Sequence, residues 1–239
     1  MTSPILITGA GQRIGLALAQ HYIALGQAII ITYRTRHKAV DLLEQQGAVC
    51  VYADFSTDEG ISNFINTLNT HTTSLRAIVH NASSWDCEGN NPNYVQLFDN
   101  MMRIHAKTPY LINLMCADLL LNYQASLKKP ADIIHLTDYV VETGSPKHVA
   151  YAASKAALEN LTKSFSAKYA PNIKVNSVAP SLIIFNEHDD DQYRTKTLKK
   201  SLMGIEPGCQ EIINSIDLLL QSQYITGRSL PVDGGRHLK

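Results

Sequence analysis

Neither sign of charge dominates this 239-residue chain, in which 21 lysines and arginines face 21 aspartates and glutamates. A zero formal net charge removes the electrostatic case for a nucleic-acid or anionic-membrane partner, which a basic surface would supply. Cysteine is also sparse. Cys50, Cys87, Cys116 and Cys209 are scattered with no C-x-x-C pair, which argues against a zinc site or disulfide frame and for free thiols in a reducing compartment. No metal is expected. No apolar run approaches the 18 residues of a membrane span, and the apolar run Ile5-Leu6-Ile7 comes too early to leave room for a signal peptide. Repeats and low-complexity linkers are absent, and tryptophan occurs once, at Trp85. With 45% hydrophobic and 18% charged residues, a single cytoplasmic α/β domain spanning 1–239 is the expectation.

Short apolar runs alternate with longer segments of helical period, the pattern of βαβ units stacked into a parallel sheet. Strands are expected at 5–7, 28–33, 49–53, 77–80, 133–137, 174–178 and 229–232, and helices at 14–25, 58–69, 95–123 and 151–169. About seven strands suit one Rossmann-type, doubly wound parallel sheet. The polar stretch 186–208, with Asp189-Asp190-Asp191 and Lys199-Lys200, follows the sixth strand. It reads as a solvated helical excursion or, near the carboxyl edge where such sheets bind ligands, as a substrate lid.

Tyr151 and Lys155 stand four residues apart and Asp138 thirteen before the tyrosine. On a helix, i and i+4 share a face, so an ammonium beside a phenol is expected to favour phenolate and lower the tyrosine pKa. Such a tyrosine can serve as an acid near neutral pH. Asp138 follows the apolar run Ile133-Ile134-His135-Leu136-Thr137 and can project from a strand end toward that helix. Alone, the pair could equally be solvated on a surface helix.

After the first strand comes Thr8-Gly9-Ala10-Gly11-Gln12-Arg13-Ile14-Gly15. Glycines there let the backbone turn tightly and approach a pyrophosphate, with the unpaired N–H groups of the next helix aimed at the anion. Arg13 adds a fixed charge beside phosphate or substrate. An NAD site usually carries an acid about 20 residues past the glycines. Here the second strand ends in Tyr33-Arg34-Thr35-Arg36 and the first acid is Asp41, so NADPH is the expected cofactor, with Arg34 and Thr35 on its 2′-phosphate. Asp54, at the end of the third strand, is a candidate for the adenine edge or simply a helix cap.

Over nearly its full length the chain resembles the short-chain dehydrogenase/reductase family, through Thr8-Gly9 to Gly15, Asp54, Asn81-Ala82, Tyr151 with Lys155, Thr226-Gly227 and Asp233-Gly234-Gly235. The resemblance implies that Tyr151 donates a proton and that Lys155 holds the nicotinamide ribose. It implies further cofactor contacts from Gly9, Gly11, Arg13, Ile14, Gly15, Arg34, Thr35, Asp54, Asn81, Ala82 and Pro180, and a homo-oligomer, a tetramer by family habit.

Four departures narrow the resemblance. The family's strand-end serine is Asp138 here, its helix asparagine is His105, its middle fingerprint glycine is Arg13, and its glycine after Pro180 is Ser181. Asp138, Arg13 and Asn81-Ala82-Ser83-Ser84-Trp85 look like the pteridine reductase branch, which implies that Trp85 stacks on a pterin, that Arg13 and Ser83 contact substrate or phosphate, and that Asp138 pairs with Tyr151. His105 leaves the family's proton relay open.

The aspartate also has a physical reading. Ketone reduction builds charge on oxygen, and a carboxylate about 4 Å away opposes it by about 4 kcal/mol at an effective dielectric near 20, roughly a thousandfold in rate. A pterin offers ring N–H and amino donors that a carboxylate accepts, and reducing its C=N bond places a proton on nitrogen. NADPH-dependent reduction of a 7,8-dihydropterin is therefore expected, with a carbonyl reductase or a non-catalytic NADP(H) sensor as alternatives.

Overall fold

The computed structural model describes residues 3–239. The short apolar runs become seven parallel strands: β1 (Ile5–Ile7), β2 (Ile29–Tyr33), β3 (Val49–Tyr52), β4 (Ala77–His80), β5 (Ala131–Leu136), β6 (Ile173–Pro180) and β7 (Ser229–Val232). They lie in the order β3-β2-β1-β4-β5-β6-β7. Strands β1, β4, β5 and β6 are buried at every residue, as a parallel sheet covered by helices on both faces requires. Winding reverses between β1 and β4, so the crevice beyond their carboxyl ends is the switch point where such sheets bind ligands.

The helices are α1 (Arg13–Ala24), α2 (Lys38–Gln45), α3 (Asp58–His71), α4 (Tyr94–Met102), α5 (Thr108–Met115), α6 (Ala117–Leu127), α7 (Val140–Thr143), α8 (Val149–Tyr169), α9 (Asp191–Leu198) and α10 (Gln210–Gln221). Leu18 and Tyr22 of α1 pack with Ile212, Ile216 and Leu219 of α10 on one face of the sheet. Phe64 and Leu68 of α3, Ile112 of α5, Leu120 of α6 and Phe165 of α8 cover the other. No helix among the described residues is long and apolar enough to cross a membrane.

The helix expected over 95–123 is broken. Between α4 and α5 lies a π-helical turn, Arg103–Lys107, and Cys116 interrupts the path from α5 to α6. Pro109 is the physical reason for the first break: it has no N–H for the His105 carbonyl four residues back. The Thr108 N–H reaches the Arg103 carbonyl instead, and its hydroxyl donates to the same oxygen at 2.9 Å. Helices α2 and α10 lie where none was expected, and α8 begins two residues earlier than its motif.

Inside the sheet a polar chain runs in one direction. His80 Nε2 donates to Asn113 Oδ1 (2.7 Å), Asn113 Nδ2 to His135 Nε2 (3.1 Å), His135 Nδ1 to Thr162 Oγ1 (2.8 Å), and the threonine hydroxyl to the Leu158 carbonyl (3.2 Å). Burial holds both histidines below their ordinary pKa, His80 at about 4, so the chain is neutral and satisfied.

Candidate active site

The turn from β1 to α1 is stitched to the end of β4. Thr8 Oγ1 accepts from the Asn81 and Ala82 N–H groups at 3.0 Å each, and the Asn81 side chain donates to the Thr8 and Gly9 carbonyls at 2.9 Å. Gly9 has φ +65°, and a Cβ there would sit 2.7 Å from Ala82 Cα; one on Gly15 would sit 2.5 Å from Asn81 Nδ2. These two glycines allow close packing, with Gly11 between them and open to the cleft. Gln12 caps α1 without a side-chain bond and no acid occupies the first turn, so the helix N-terminus keeps its unpaired donors for an anion. This donor set fits a pyrophosphate.

Arg13 lines the cleft and also reaches across it. It holds φ +53°, unusual for a residue with a side chain, and its guanidinium donates to Asn186 Oδ1 (2.5 Å) and the Ile184 carbonyl (3.1 Å). Its charge thus bridges the glycine turn and the segment after β6.

Arg34 and Arg36 divide the labour at the end of β2. Arg36 is occupied, donating to Asp41 at 2.8 Å and to Glu44, with its guanidinium 5.6 Å from the Tyr33 ring centre. Arg34 is exposed, lines the cleft with Thr35, and has no carboxylate within 4 Å among the described residues. Asp54 is turned to a local task. Its carboxylate accepts from Ser56 N at 3.0 Å, the bond that chiefly lowers its pKa, and Ser56 lines the cleft in its place.

At the carboxyl end of β5, Tyr151 donates its phenolic proton to Asp138 Oδ2 at 2.9 Å, while Asp138 Oδ1 accepts from Val140 N at 3.1 Å. Lys155, a turn along α8, is buried, donates to the Leu136 carbonyl at 2.8 Å and lies 5.7 Å from the Tyr151 ring centre. One carbonyl leaves the ammonium further donors, which fits a ribose diol. The expected lowering of the tyrosine pKa is overturned. Burial, then the negative charge and hydrogen bond of Asp138, push the Tyr151 phenol well above its usual value. Burial raises Asp138 and brings Lys155 down to about 8. Burial leads this shift, and the aspartate, absent from the family pattern, adds to it.

His105 is buried in the π turn. Its Nε2 faces the Ser84 N–H at 3.4 Å and the Ser83 hydroxyl at 2.7 Å, so this nitrogen accepts, and Nδ1 carries the proton toward Ser154 Oγ at 2.8 Å. Ser154 in turn donates to the Tyr151 carbonyl at 2.7 Å. Burial, with Lys155 adding, holds the imidazole well below its ordinary pKa. It is a neutral brace between the Ser83 loop and α8. Trp85 is 61% exposed on that loop, with its ring 4.7 Å from that of His148.

Gly9, Gly11, Arg13, Arg34, Thr35, Ser83, Trp85, Asp138, Tyr151 and Lys155, together with Ile14, Asn81, Ala82 and Pro180, line one cleft of about 1130 Å³, larger than the roughly 300–1,000 Å³ that holds one drug-sized ligand. Gly15, Asp54 and His105 lie outside its lining. Tyr139, His148, Thr197, Lys200 and Arg236 also line it, and no local pattern marks them in the sequence except the arginine after Gly234-Gly235.

A parallel sheet with a glycine turn at its switch point and a Tyr/Lys pair on a crossing helix defines a nucleotide-dependent oxidoreductase. A family profile described as Enoyl-(Acyl carrier protein) reductase matches residues 9–237, and the chain belongs to this family, part of the short-chain dehydrogenase/reductases. Similar relatives include a dihydromonapterin reductase of Enterobacter sp. (strain 638), 55% identical over 235 residues, covering 98% of this chain and 97% of that one. One of Escherichia coli O6:K15:H31 (strain 536 / UPEC), with the same name, is 54% identical over 236 residues, covering 99% and 97%. Among solved structures, FolM alternative dihydrofolate reductase 1 from Brucella canis complexed with NADP superimposes with TM-score 0.86 at 23% identity, covering 99% of this chain and 94% of that one.

Proposed function

We propose that this protein uses NADPH to reduce a 7,8-dihydropterin, of the dihydromonapterin or dihydrofolate kind, to its tetrahydro form at the ring C=N bond. The observation that carries the reading is the Asp138 carboxylate, aimed into the cleft and hydrogen-bonded to the Tyr151 hydroxyl. The names of the relatives at 54–55% identity agree with it.

When bound, NADPH supplies the hydride to the ring carbon. Arg34 and Thr35 hold the 2′-phosphate, the α1 N-terminus the pyrophosphate, and Lys155 the nicotinamide ribose. Trp85 offers an exposed face to the flat heterocycle, a contact worth about 0.5–1.5 kcal/mol beyond burial, and Asp138 accepts from its N–H and amino groups. Tyr151 delivers a proton to the ring nitrogen. A phenol of raised pKa suits this step, because nitrogen receiving an electron pair is a stronger base than the oxygen of a reduced ketone. Asp138 holds the hydroxyl in place until then. Residues 186–208 form the lid over the substrate, anchored through Arg13 to Asn186.

The reading includes a homotetramer in the cytoplasm. Four free cysteines support the compartment. Exposed Tyr110, Leu114 and Met115 on α5, with Ala153 and Ala156 exposed on α8, support an assembly surface. Light scattering at micromolar concentration tests the assembly, and a monomer would contradict it.

The test of function is NADPH oxidation followed against dihydromonapterin, dihydrobiopterin, dihydrofolate and a panel of small ketones. Turnover confined to dihydropterins is the expected result. Turnover confined to ketones would make the enzyme a carbonyl reductase, with Asp138, whose pKa burial raises, acting as a neutral donor.

A further inference from the structure

Near Asp138 lies a set of cations that the reduction does not use. The guanidinium carbon of Arg236 sits 4.2 Å from the ring centre of Tyr139. Lys200, just past α9, lines the same cleft close enough to feel the charge of Arg236. Partial burial, with the nearby charges of Arg236, Lys196 and Lys147, holds the Lys200 ammonium below its ordinary pKa. Among the described residues none of these four cations has a carboxylate within 4 Å.

Asp138 feels the charge of Arg236 but bonds to Tyr151 and Val140, and four further acids nearby are engaged elsewhere. Asp190 caps α9 through Tyr193 N at 2.7 Å, and Glu206 accepts from Phe185 N at 2.7 Å. Asp189 accepts from Asn186 N at 2.8 Å, and Asp233 takes His237 Nδ1 at 2.6 Å.

A second, independent feature points the same way. Thr197, one turn before Lys200, is 6% exposed and lines the cleft, and its hydroxyl has no hydrogen-bond partner. Buried hydroxyls are ordinarily paired, so this one is a donor held in reserve. The two cations are also braced. Leu202 N and Met203 N both donate to the Gly234 carbonyl, at 2.9 and 3.1 Å, and Lys239 Nζ donates to the Lys199 and Ser201 carbonyls at 2.8 and 3.0 Å. The lid end and the C-terminal turn are thereby fixed to one another.

We propose that Thr197, Lys200 and Arg236 form a subsite for an anionic group, carboxylate or phosphate, carried on the side chain of the pterin. The proposal rests on the dihydropterin reading above. Like charges gathered with no salt-bridge partner favour an incoming anion, and the planar arginine fork matches both carboxylate and phosphate. The subsite accordingly selects among dihydropterins by their side chains, while Asp138 and Trp85 engage the ring common to all of them.

The experiment compares kcat/KM for three substrates: a dihydropterin with an uncharged polyol side chain, the same compound phosphorylated on that side chain, and 7,8-dihydrofolate with its glutamate carboxylates. The parent is expected to favour at least one anionic substrate, and the preference should shrink as ionic strength rises. Arg236→Gln and Lys200→Gln, on separate segments, should each reduce the anionic-to-neutral ratio by about tenfold, chiefly through KM. Loss for the phosphate compound alone identifies a phosphate, and loss for dihydrofolate alone a carboxylate. A ratio unchanged in both variants, while the parent reduces dihydropterins, overturns the subsite and leaves the reductase reading intact. A parent that reduces no dihydropterin overturns both.

Discussion

Two aspartates belong to the same strand and its exit, six residues apart, and have opposite surroundings. Asp132, at the amino end of β5, is fully buried between Arg76 Nη1 at 2.5 Å and Lys174 Nζ at 2.7 Å. Those cations also reach carbonyls at the end of α10, Leu220 from Arg76 and Leu219 from Lys174, both at 2.7 Å. Asp138, just past the carboxyl end, meets one backbone N–H and one phenol, with the cleft beyond them. Burial raises the pKa of both. What separates the two acids is the space beside them: Asp132 is enclosed between two cations with no opening, whereas Asp138 faces a cleft where a ligand fits.

Breaking the pairs tests that contrast. Tyr151→Phe keeps the ring and removes the proton, and single-turnover hydride transfer should fall about 10²–10⁴-fold with the melting temperature nearly unchanged. Near-normal turnover would mean that water protonates the substrate. Asp132→Asn should do the reverse. Two cations left uncompensated should cost about 3–5 kcal/mol in urea unfolding, with kcat of the folded fraction preserved; a loss of rate at full stability would contradict its structural role.

Smaller effects are expected on the cofactor side. Arg34→Asp should weaken NADPH binding by about 2 kcal/mol, roughly thirtyfold, and NADH binding far less; equal losses measured by fluorescence titration would remove Arg34 from the phosphate. Lys155 carries its charge below about 8 and sheds it above. NADPH affinity should therefore decline as pH rises through about 8, by at most about tenfold per unit, and a flat profile to pH 9.5 would place the ribose contact elsewhere.

The acid at the strand end was legible because its partners sit at short, regular spacings. Strands β1 to β7, the turn from Gly9 to Gly15 and the pair Tyr151/Lys155 share that property: each is marked by a local period or motif. The break at residues 103–107 was not, since helical periodicity continues through it and only Pro109 hints at the fault. The direction of the Tyr151 shift was misread because it depends on burial, which packing sets and spacing does not. Arg13 is placed beside phosphate or substrate by its neighbours in sequence, and it lines the cleft; its contact with Asn186 has no sequence signal, because that residue comes near only when β6 lies in place. Thr197, Lys200 and Arg236 reach the cleft from α9, the turn after it and the C-terminal turn, so no window on the sequence holds them together.

The central claim is that Asp138, as an acceptor, makes this site a pterin reductase rather than a ketone reductase. The most direct measurement is kcat/KM of the parent, Asp138→Ser and Asp138→Asn on one dihydropterin and on a panel of small ketones. The account predicts that dihydropterin reduction falls in both variants, and that Asp138→Ser, which substitutes a donor for the acceptor, gains activity on a ketone that the parent scarcely reduces. Parent-like dihydropterin turnover in both variants would contradict it, and Asp138 would then stand with Asp132 as a structural residue.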